Sequence, residues 1–385
     1  MSTTEVTNLL QKLNAAGQAV WLDFVDRKFL EESGLRKLVE EDGVTGVTSN
    51  PTIFEKAMGH GDNYDQGFRH ALADGDLSAG ELYESQAILD IKAAAADLCP
   101  VYDRLNGKDG YVSLEVSPYL ANDTQATIAD AHKLWRAVGA PNLMIKVPGT
   151  TAGIPAIHAL IADGMNVNVT LLFAIDAYKA VAEAYLSGLE ERVGRGEPID
   201  RIASVASFFV SRIDTQMDRK IDERVNAGDE DAEALKALRG KVAIANAKLA
   251  YTWYQEMIAS ERWQKLAAKG AMPQRLLWAS TGVKDPAYPD TLYVDTLIGP
   301  ETVNTMPAKT MDAFRDHGTV SQTLTKDVDA ARGVLAEAER LKLDLAGVTA
   351  GLVQDGIKQF SDAADALLKA VDEKRLSIRA DMKTR

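Results

Sequence analysis

The sequence carries a single cysteine, Cys99, and so cannot form an internal disulfide. Its five histidines, at positions 60, 70, 132, 158 and 317, show no HExxH spacing and no close pairing. A histidine-held metal is not expected from that pattern, and neither a metal nor a cofactor is predicted. No run of about 18 uninterrupted apolar residues occurs, so no membrane-spanning helix is expected. The opening residues, MSTTEVTNLLQKL, lack the basic-then-apolar order of an export signal. With the lone thiol, this makes the cytoplasm the expected compartment. Cations are in deficit: 43 Lys and Arg face 56 Asp and Glu, a net charge of −13. Such a balance disfavours general nucleic-acid binding, which neutralises phosphates with excess positive charge. A small phosphorylated ligand stays open, provided that a local Arg or Lys reverses the field. No GxGxxG follows the first apolar run, which argues against a dinucleotide-binding doubly wound sheet.

What is present is a chain of 385 residues with 46% hydrophobic content, ordinary for a globular protein and too apolar for wholesale disorder. Eight short runs read as strands: 19–25, 43–50, 110–117, 142–148, 166–173, 202–209, 275–281 and 302–307. Helical signals separate most of them. Ser78 followed by Glu81 forms a capping box. Ile88, Ile91, Ala95, Leu98 and Tyr102 then recur at helical spacing, and Ile128, Ala131, Trp135 and Val138 do so before stopping at Gly139. Strands alternating with helices predict parallel βα units, and nearly continuous apolar runs suit a sheet covered on both faces. Eight of them predict a (β/α)8 barrel: one domain over 1–385, with a core at about 15–315. Helical insertions are expected at 52–109 and 213–270, and a helical tail at 320–385. The open doubly wound sheet is the alternative.

Side chains alternate faces along a strand. In NLMIKVP, Leu143, Ile145 and Val147 share one face, and Met144 and Lys146 the other. In GYVSLEVS, Val112, Leu114 and Val116 oppose Ser113, Glu115 and Ser117. Val20, Leu22 and Phe24 oppose Trp21, Asp23 and Val25. Val167, Val169 and Leu171 oppose Asn166, Asn168 and Thr170. The aliphatic face should meet the helices and the mixed face should fill the barrel. This brings Asp23, Glu115, Lys146, Asn168 and Thr170 into one interior, towards the C-terminal end where barrel active sites lie. Isolated buried charges cost several kcal/mol apiece, so they persist together when they pair or act. A structural ion-pair network is the plain alternative.

A lysine held among apolar neighbours is desolvated as a cation, which favours the free amine. A free amine attacks a ketone and forms a Schiff base, whose iminium is an electron sink for cleavage of a nearby C–C bond. A carboxylate must take the proton of the hydroxyl on the breaking carbon, and an acid with a bound water must shuttle protons during imine formation. Asp23 and Glu115 are the candidates, with Thr170 able to hold the water. None of this requires a cofactor or a metal.

Five segments, VTSNPTIF (47–54), VSLEVSP (112–118), MIKVPGT (144–150), NVNVTLLF (166–173) and SFFVSRID (207–214), resemble the successive barrel motifs of transaldolases, in order, over roughly residues 15–315. The resemblance implies a (β/α)8 barrel and transfer of a dihydroxyacetone unit from a ketose phosphate, such as fructose 6-phosphate or sedoheptulose 7-phosphate. The acceptor it implies is an aldose phosphate, glyceraldehyde 3-phosphate or erythrose 4-phosphate, in the non-oxidative pentose phosphate pathway. By position, Lys146 resembles the Schiff-base lysine and Asp23 the carboxylate that handles the proton on the cleaved carbon's hydroxyl. Glu115 and Thr170 resemble the pair that positions the catalytic water. Asn50, beside Thr48, looks like a substrate-hydroxyl binder; Asn168 and Ser207 are similar to further hydroxyl contacts; Arg212 resembles the phosphate-binding arginine.

One departure stands out. After the seventh strand the family often shows Ser-Phe-Arg-Asn, whose arginine is a second phosphate ligand, whereas here the chain reads ASTGVKDP (279–286). Ser280 still matches, and Lys284 or backbone N–H groups near Gly282 are the candidates for the missing contact. Aldolase relatives carry a tyrosine at the position that Phe209 resembles; a phenylalanine cannot donate a proton, which favours transfer over release. Three readings follow: a transaldolase, an aldolase that releases free dihydroxyacetone, or a non-catalytic sugar-phosphate-binding barrel. Sugar phosphates are the expected partners, with no nucleic acid, no membrane and a homodimer admitted. Cys99 reads as a small buried apolar residue.

Overall fold

The computed structural model describes residues 8–383. Eight parallel strands close into a barrel in sequence order. They are β1 (Gln18–Leu22), β2 (Gly46–Val47), β3 (Tyr111–Glu115), β4 (Leu143–Pro148), β5 (Val167–Leu172), β6 (Ser204–Phe209), β7 (Arg275–Ala279) and β8 (Thr302–Met306). Seven fall inside the apolar runs and β1 starts one residue before its run, at Gln18; β8 pairs back onto β1 over five residues. The open sheet is thereby set aside. β2 is only two residues long. Its Gly46 lies against the Trp21 ring, which a Cβ there would meet at 2.4 Å, so only glycine lets these two strands approach.

The helices begin and end where the local chemistry dictates. Ser78 caps the helix Ala79–Arg104, and the Glu81 carboxylate returns the bond to the Ser78 backbone. Such a cap contributes about 1 kcal/mol. The helix Thr124–Val138 stops at Gly139, whose φ of 64° is the left-handed conformation that costs glycine least. Between β2 and β3 run the helices Pro51–Gly59, Asp65–Asp74 and Ala79–Arg104. Between β6 and β7 run Ser211–Asn226, Ala232–Lys236, Val242–Ala259 and Glu261–Ala267.

After β8, the helices Ala308–His317, Val328–Arg340 and Leu345–Lys383 complete the chain. The last, 39 residues long, does more than cover the barrel wall. It packs most extensively on Pro51–Gly59 and also meets Ala79–Arg104, Ser211–Asn226 and the end of β5. It therefore crosses the mouth at the C-terminal ends of the strands.

Two local expectations are corrected. Strict alternation in β5 breaks after Thr170: Leu171 adopts a φ of 61°, and the register with β6 shifts between Val169 and Leu172. Cys99 is half-buried, with its Sγ 3.7 Å from Asp103 Oδ2. The buried stripe of its helix runs through Leu98, Val101 and Tyr102, leaving Cys99 at the margin.

Candidate active site

Register alone assembles the centre. Glu115 on β3 pairs with Lys146 on β4, which pairs with Asn168 on β5. Lys146 Nζ lies 3.3 Å from Glu115 Oε2 and donates to the Ser49 carbonyl at 3.2 Å. The lysine is 5% exposed. Its nearest polar neighbours are a carboxylate and a carbonyl, the carboxylate being the Glu115 that strand parity placed on the same inward face. Apart from this lysine, neither oxygen of Glu115 has a hydrogen-bond partner, and its side chain is only 4% exposed. Burial pushes its pKa above the ordinary carboxylate range; the lysine charge opposes this and Asp23 adds to it. The Thr170 hydroxyl is also fully buried and without a partner. Buried polar atoms are nearly always hydrogen-bonded, so this unsatisfied pair marks a place kept for a reacting group.

Asp23 stands one residue beyond β1. Its backbone N–H still donates to Met306 O at 2.9 Å, and this holds it at the strand's end. Its carboxylate accepts from Thr48 Oγ1 at 2.7 Å. Burial raises its pKa against the lowering effects of Lys146, the Thr48 bond and Arg212. Two carboxylates therefore feel the charge of one buried amine, and burial raises the pKa of both.

The remaining predicted residues divide. Asn168 Nδ2 donates to Ser113 Oγ at 2.9 Å, and Ser207 Oγ donates to Asn168 Oδ1 at 2.7 Å, a ladder across the interior. Asn50 caps the helix Pro51–Gly59 through its Oδ1, which leaves its amide nitrogen free for a ligand. It borders, with Glu115 and Ser117, a cavity of about 290 Å³ roofed by Ala364, Leu367 and Leu368 of the last helix. Phe209 is buried against Phe173, with ring centroids 5.0 Å apart. The Arg212 guanidinium lies 5.3 Å from the Phe209 ring centroid. Arg212 sits in the first turn of the helix Ser211–Asn226, its Nη1 buried and unpartnered. Unpaired N–H groups and a helix N-terminus together favour an anion. Ser280, at a φ of 55°, places its hydroxyl 3.0 Å from that of Ser211 at the same helix start.

Lys284 is placed elsewhere. It is exposed and lines a cavity with Asp214, Asp218, Asp222 and Asp285, and it does not line the cavity beside Glu115.

Known proteins now bear on this geometry. A family model described as transaldolase/fructose-6-phosphate aldolase matches residues 20–371. The chain belongs to that family. It is 48% identical over 365 residues to a transaldolase of Parafrankia sp., covering 94% of this chain and 97% of that protein. It is 44% identical over 381 residues to a transaldolase of Trichodesmium erythraeum, covering 96% and 98%. A transaldolase of Thermobifida fusca is 48% identical over 363 residues, covering 94% and 97%. The family match reaches into the last helix, past residue 315 where the motif likeness was expected to stop. The transaldolase/fructose-6-phosphate aldolase fold in this chain thus includes the segment across the mouth.

Several residues of the site escaped the sequence reading. Thr305 on β8 shares its hydroxyl with Thr48 at 2.7 Å and so helps orient the bond to Asp23. Parity in TVNTMP could have raised Thr305, since it pairs with Trp21 on β1. Ser211 was legible as the neighbour of Arg212 at a helix start. Phe360, whose ring centroid lies 5.7 Å from Lys146 Nζ, gave no local signal at all.

Proposed function

We propose that this enzyme is a transaldolase working through a Schiff base on Lys146. The carrying observation is the buried Lys146–Glu115 pair, 3.3 Å apart, whose carboxylate oxygens no other protein group satisfies. The Lys146 amine attacks the ketose carbonyl carbon, and the carbinolamine loses water to give an iminium. Glu115 supplies and recovers the protons of that exchange, with Thr170 holding the water. Asp23 takes the hydroxyl proton of the next-but-one carbon; the C–C bond between breaks and its electron pair moves into the iminium, which becomes an enamine. The aldehyde half departs. An acceptor aldose phosphate enters, the enamine carbon attacks its carbonyl, and Asp23 returns the proton to the new hydroxyl. Water then hydrolyses the iminium and frees the amine.

Arg212, with the hydroxyls of Ser211 and Ser280, is the proposed seat of the phosphate. The dihydroxyacetone unit and the sugar-phosphate donors and acceptors named by the resemblance belong to this reading. So do cytoplasmic placement and a homodimer, the latter decided by a solution mass measurement. Phe209 supports transfer, because it offers no proton to the enamine. Replacing it by tyrosine should raise the release of free dihydroxyacetone relative to transfer; an unchanged ratio removes Phe209 from this role.

The decisive test is borohydride reduction in the presence of fructose 6-phosphate. A covalent three-carbon adduct mapped to Lys146 by mass spectrometry is expected. Binding with no adduct would leave the non-catalytic barrel standing.

A further inference from the structure

The last helix passes over the reacting lysine, and three observations say how closely. Phe360 is buried, 5% exposed, with the Lys146 amine 5.7 Å from its ring centroid. One turn earlier, Gly356 lies against Leu171; a Cβ at Gly356 would meet Leu171 Cδ2 at 2.6 Å. Leu171 is the residue held in a left-handed conformation next to Thr170. Asp355, beside Gly356, adds its negative charge to the surroundings of Arg212. The helix is pinned beyond this stretch. The Tyr119 hydroxyl donates to Asp365. Further along, Lys374 pairs with Asp65 at 2.8 Å and Arg379 with Asp76 at 2.6 Å.

We propose that Phe360 is the roof of the reaction chamber and determines, with Phe209, that the enamine is transferred rather than protonated. The inference rests on the Schiff-base reading above. The donor's three carbons are covalently attached at Lys146 Nζ, the atom beneath the Phe360 ring, so the nucleophilic carbon lies two bonds from it. Both aromatic rings lack an exchangeable proton. The ring face also attracts the positive charge that the nitrogen carries as ammonium and as iminium. With the roof in place, the enamine carbon meets only an incoming aldehyde. Without it, water protonates that carbon, a second water adds to the resulting iminium, and dihydroxyacetone leaves with Lys146 restored as the free amine. Atoms balance in either branch, and only the electrophile that the carbon meets differs.

The test uses the full-length enzyme as wild type, Phe360→Ala and Phe360→Leu. Free dihydroxyacetone is measured with fructose 6-phosphate alone. Transfer is measured with erythrose 4-phosphate added, and each variant is trapped with borohydride. The release-to-transfer ratio should rise about tenfold in Phe360→Ala and less in Phe360→Leu, which keeps most of the volume, with the Lys146 adduct still formed in both. A role confined to packing would lower both rates together and leave the ratio alone. An unchanged ratio in a variant that forms the adduct overturns the proposal while the Schiff-base reading survives. Should Phe360→Ala fail to fold, Phe360→Leu decides by the same ratio. A wild-type enzyme that forms no adduct overturns the catalytic reading and this inference with it.

Discussion

The two ends of the barrel each hold a buried ion pair, and the pairs are built in opposite ways. At the base, where the strands begin, Arg275 Nη1 lies 3.2 Å from Asp109 Oδ2. The Asp109 carboxylate also accepts from Trp21 Nε1 at 2.9 Å, from Thr45 Oγ1 at 3.0 Å and from the Gly110 N–H at 3.0 Å. Every lone pair it must withdraw from water finds a donor, which is what a structural pair requires. At the mouth, Lys146 and Glu115 are as close and similarly buried, yet Glu115 Oε2 has only the lysine to answer it, and Glu115 Oε1 and the buried Thr170 hydroxyl have no partner at all. The fold tolerates there what it does not tolerate at the base. Satisfaction, rather than burial or charge, separates a pair that holds the barrel shut from one that keeps room for chemistry.

The largest way to break this comparison is at the amine. Lys146→Met should lower kcat by at least about 10⁴-fold, because no covalent intermediate can form. A residual rate within about a hundredfold of wild type would mean that another group carries the reaction. Next come the acids at the mouth. Asp23→Asn and Glu115→Gln should each cost about 10²–10⁴-fold in kcat. Glu115→Gln should not lower the melting temperature at pH 8. Burial raises the pKa of Glu115, so its ionised form opposes folding, and an amide of the same shape is relieved of that charge. Slow Schiff-base formation with unimpaired cleavage would separate Glu115 from Asp23, and pre-steady-state trapping measures both.

The base should behave in reverse. Asp109→Ala strands Arg275 and frees the Trp21 indole donor, and removing one partner of a buried pair costs about 3–5 kcal/mol. Urea unfolding should register that loss, while kcat of the folded fraction stays within about threefold of wild type. A variant that melts as wild type but loses activity would reverse the assignment of the two ends.

How much of this lay open in the sequence follows from the range of each interaction. The strands were legible because burial on both faces leaves short apolar runs. Lys146, Glu115 and Asn168 were legible because period-two alternation places polar groups on the inward face of three neighbouring strands. The base network was not. Arg275 read as the first residue of a strand, and its partner Asp109 lies far away in the chain, in a loop with no periodicity. Phe360 is hidden for the same reason: it packs within an amphipathic helix like any apolar residue, and only tertiary folding brings it over Lys146. Lys284 read as a phosphate candidate from its place after β7 alone, whereas its side chain lines a separate cavity with Asp214, Asp218 and Asp222, a position that no local spacing encodes. Asn50 was legible as polar after β2, but its duty as a helix cap was not separated from ligand binding.

Asp214 sharpens the comparison with the smallest expected effect. It is 1% exposed and, like Asp109, fully partnered: it accepts from the Ala243 N–H at 2.8 Å and from the Tyr293 hydroxyl at 3.0 Å. By the rule drawn from the two ends, it should matter to stability and not to catalysis. Among the described residues it makes no ion pair, and burial pushes its pKa up to about 7, with the neighbouring Asp218 charge adding to the rise. A folded-state pKa above the ordinary carboxylate value means that the native state binds the proton more tightly than the unfolded chain does. The stability this contributes is complete below about pH 4 and fades as pH rises through about 7. Asp214→Asn keeps an acceptor of the same shape and cannot ionise. Between pH 5.5 and 8.5 the wild-type melting temperature should therefore fall by about 2 °C or more beyond the fall seen in the variant, with kcat within about threefold at pH 7.5. Parallel melting curves would show that Asp214 keeps its charge at no cost. The N–H and hydroxyl donors alone would then suffice to hold a buried carboxylate, and the lysine beside Glu115 would have to be explained by reactivity alone.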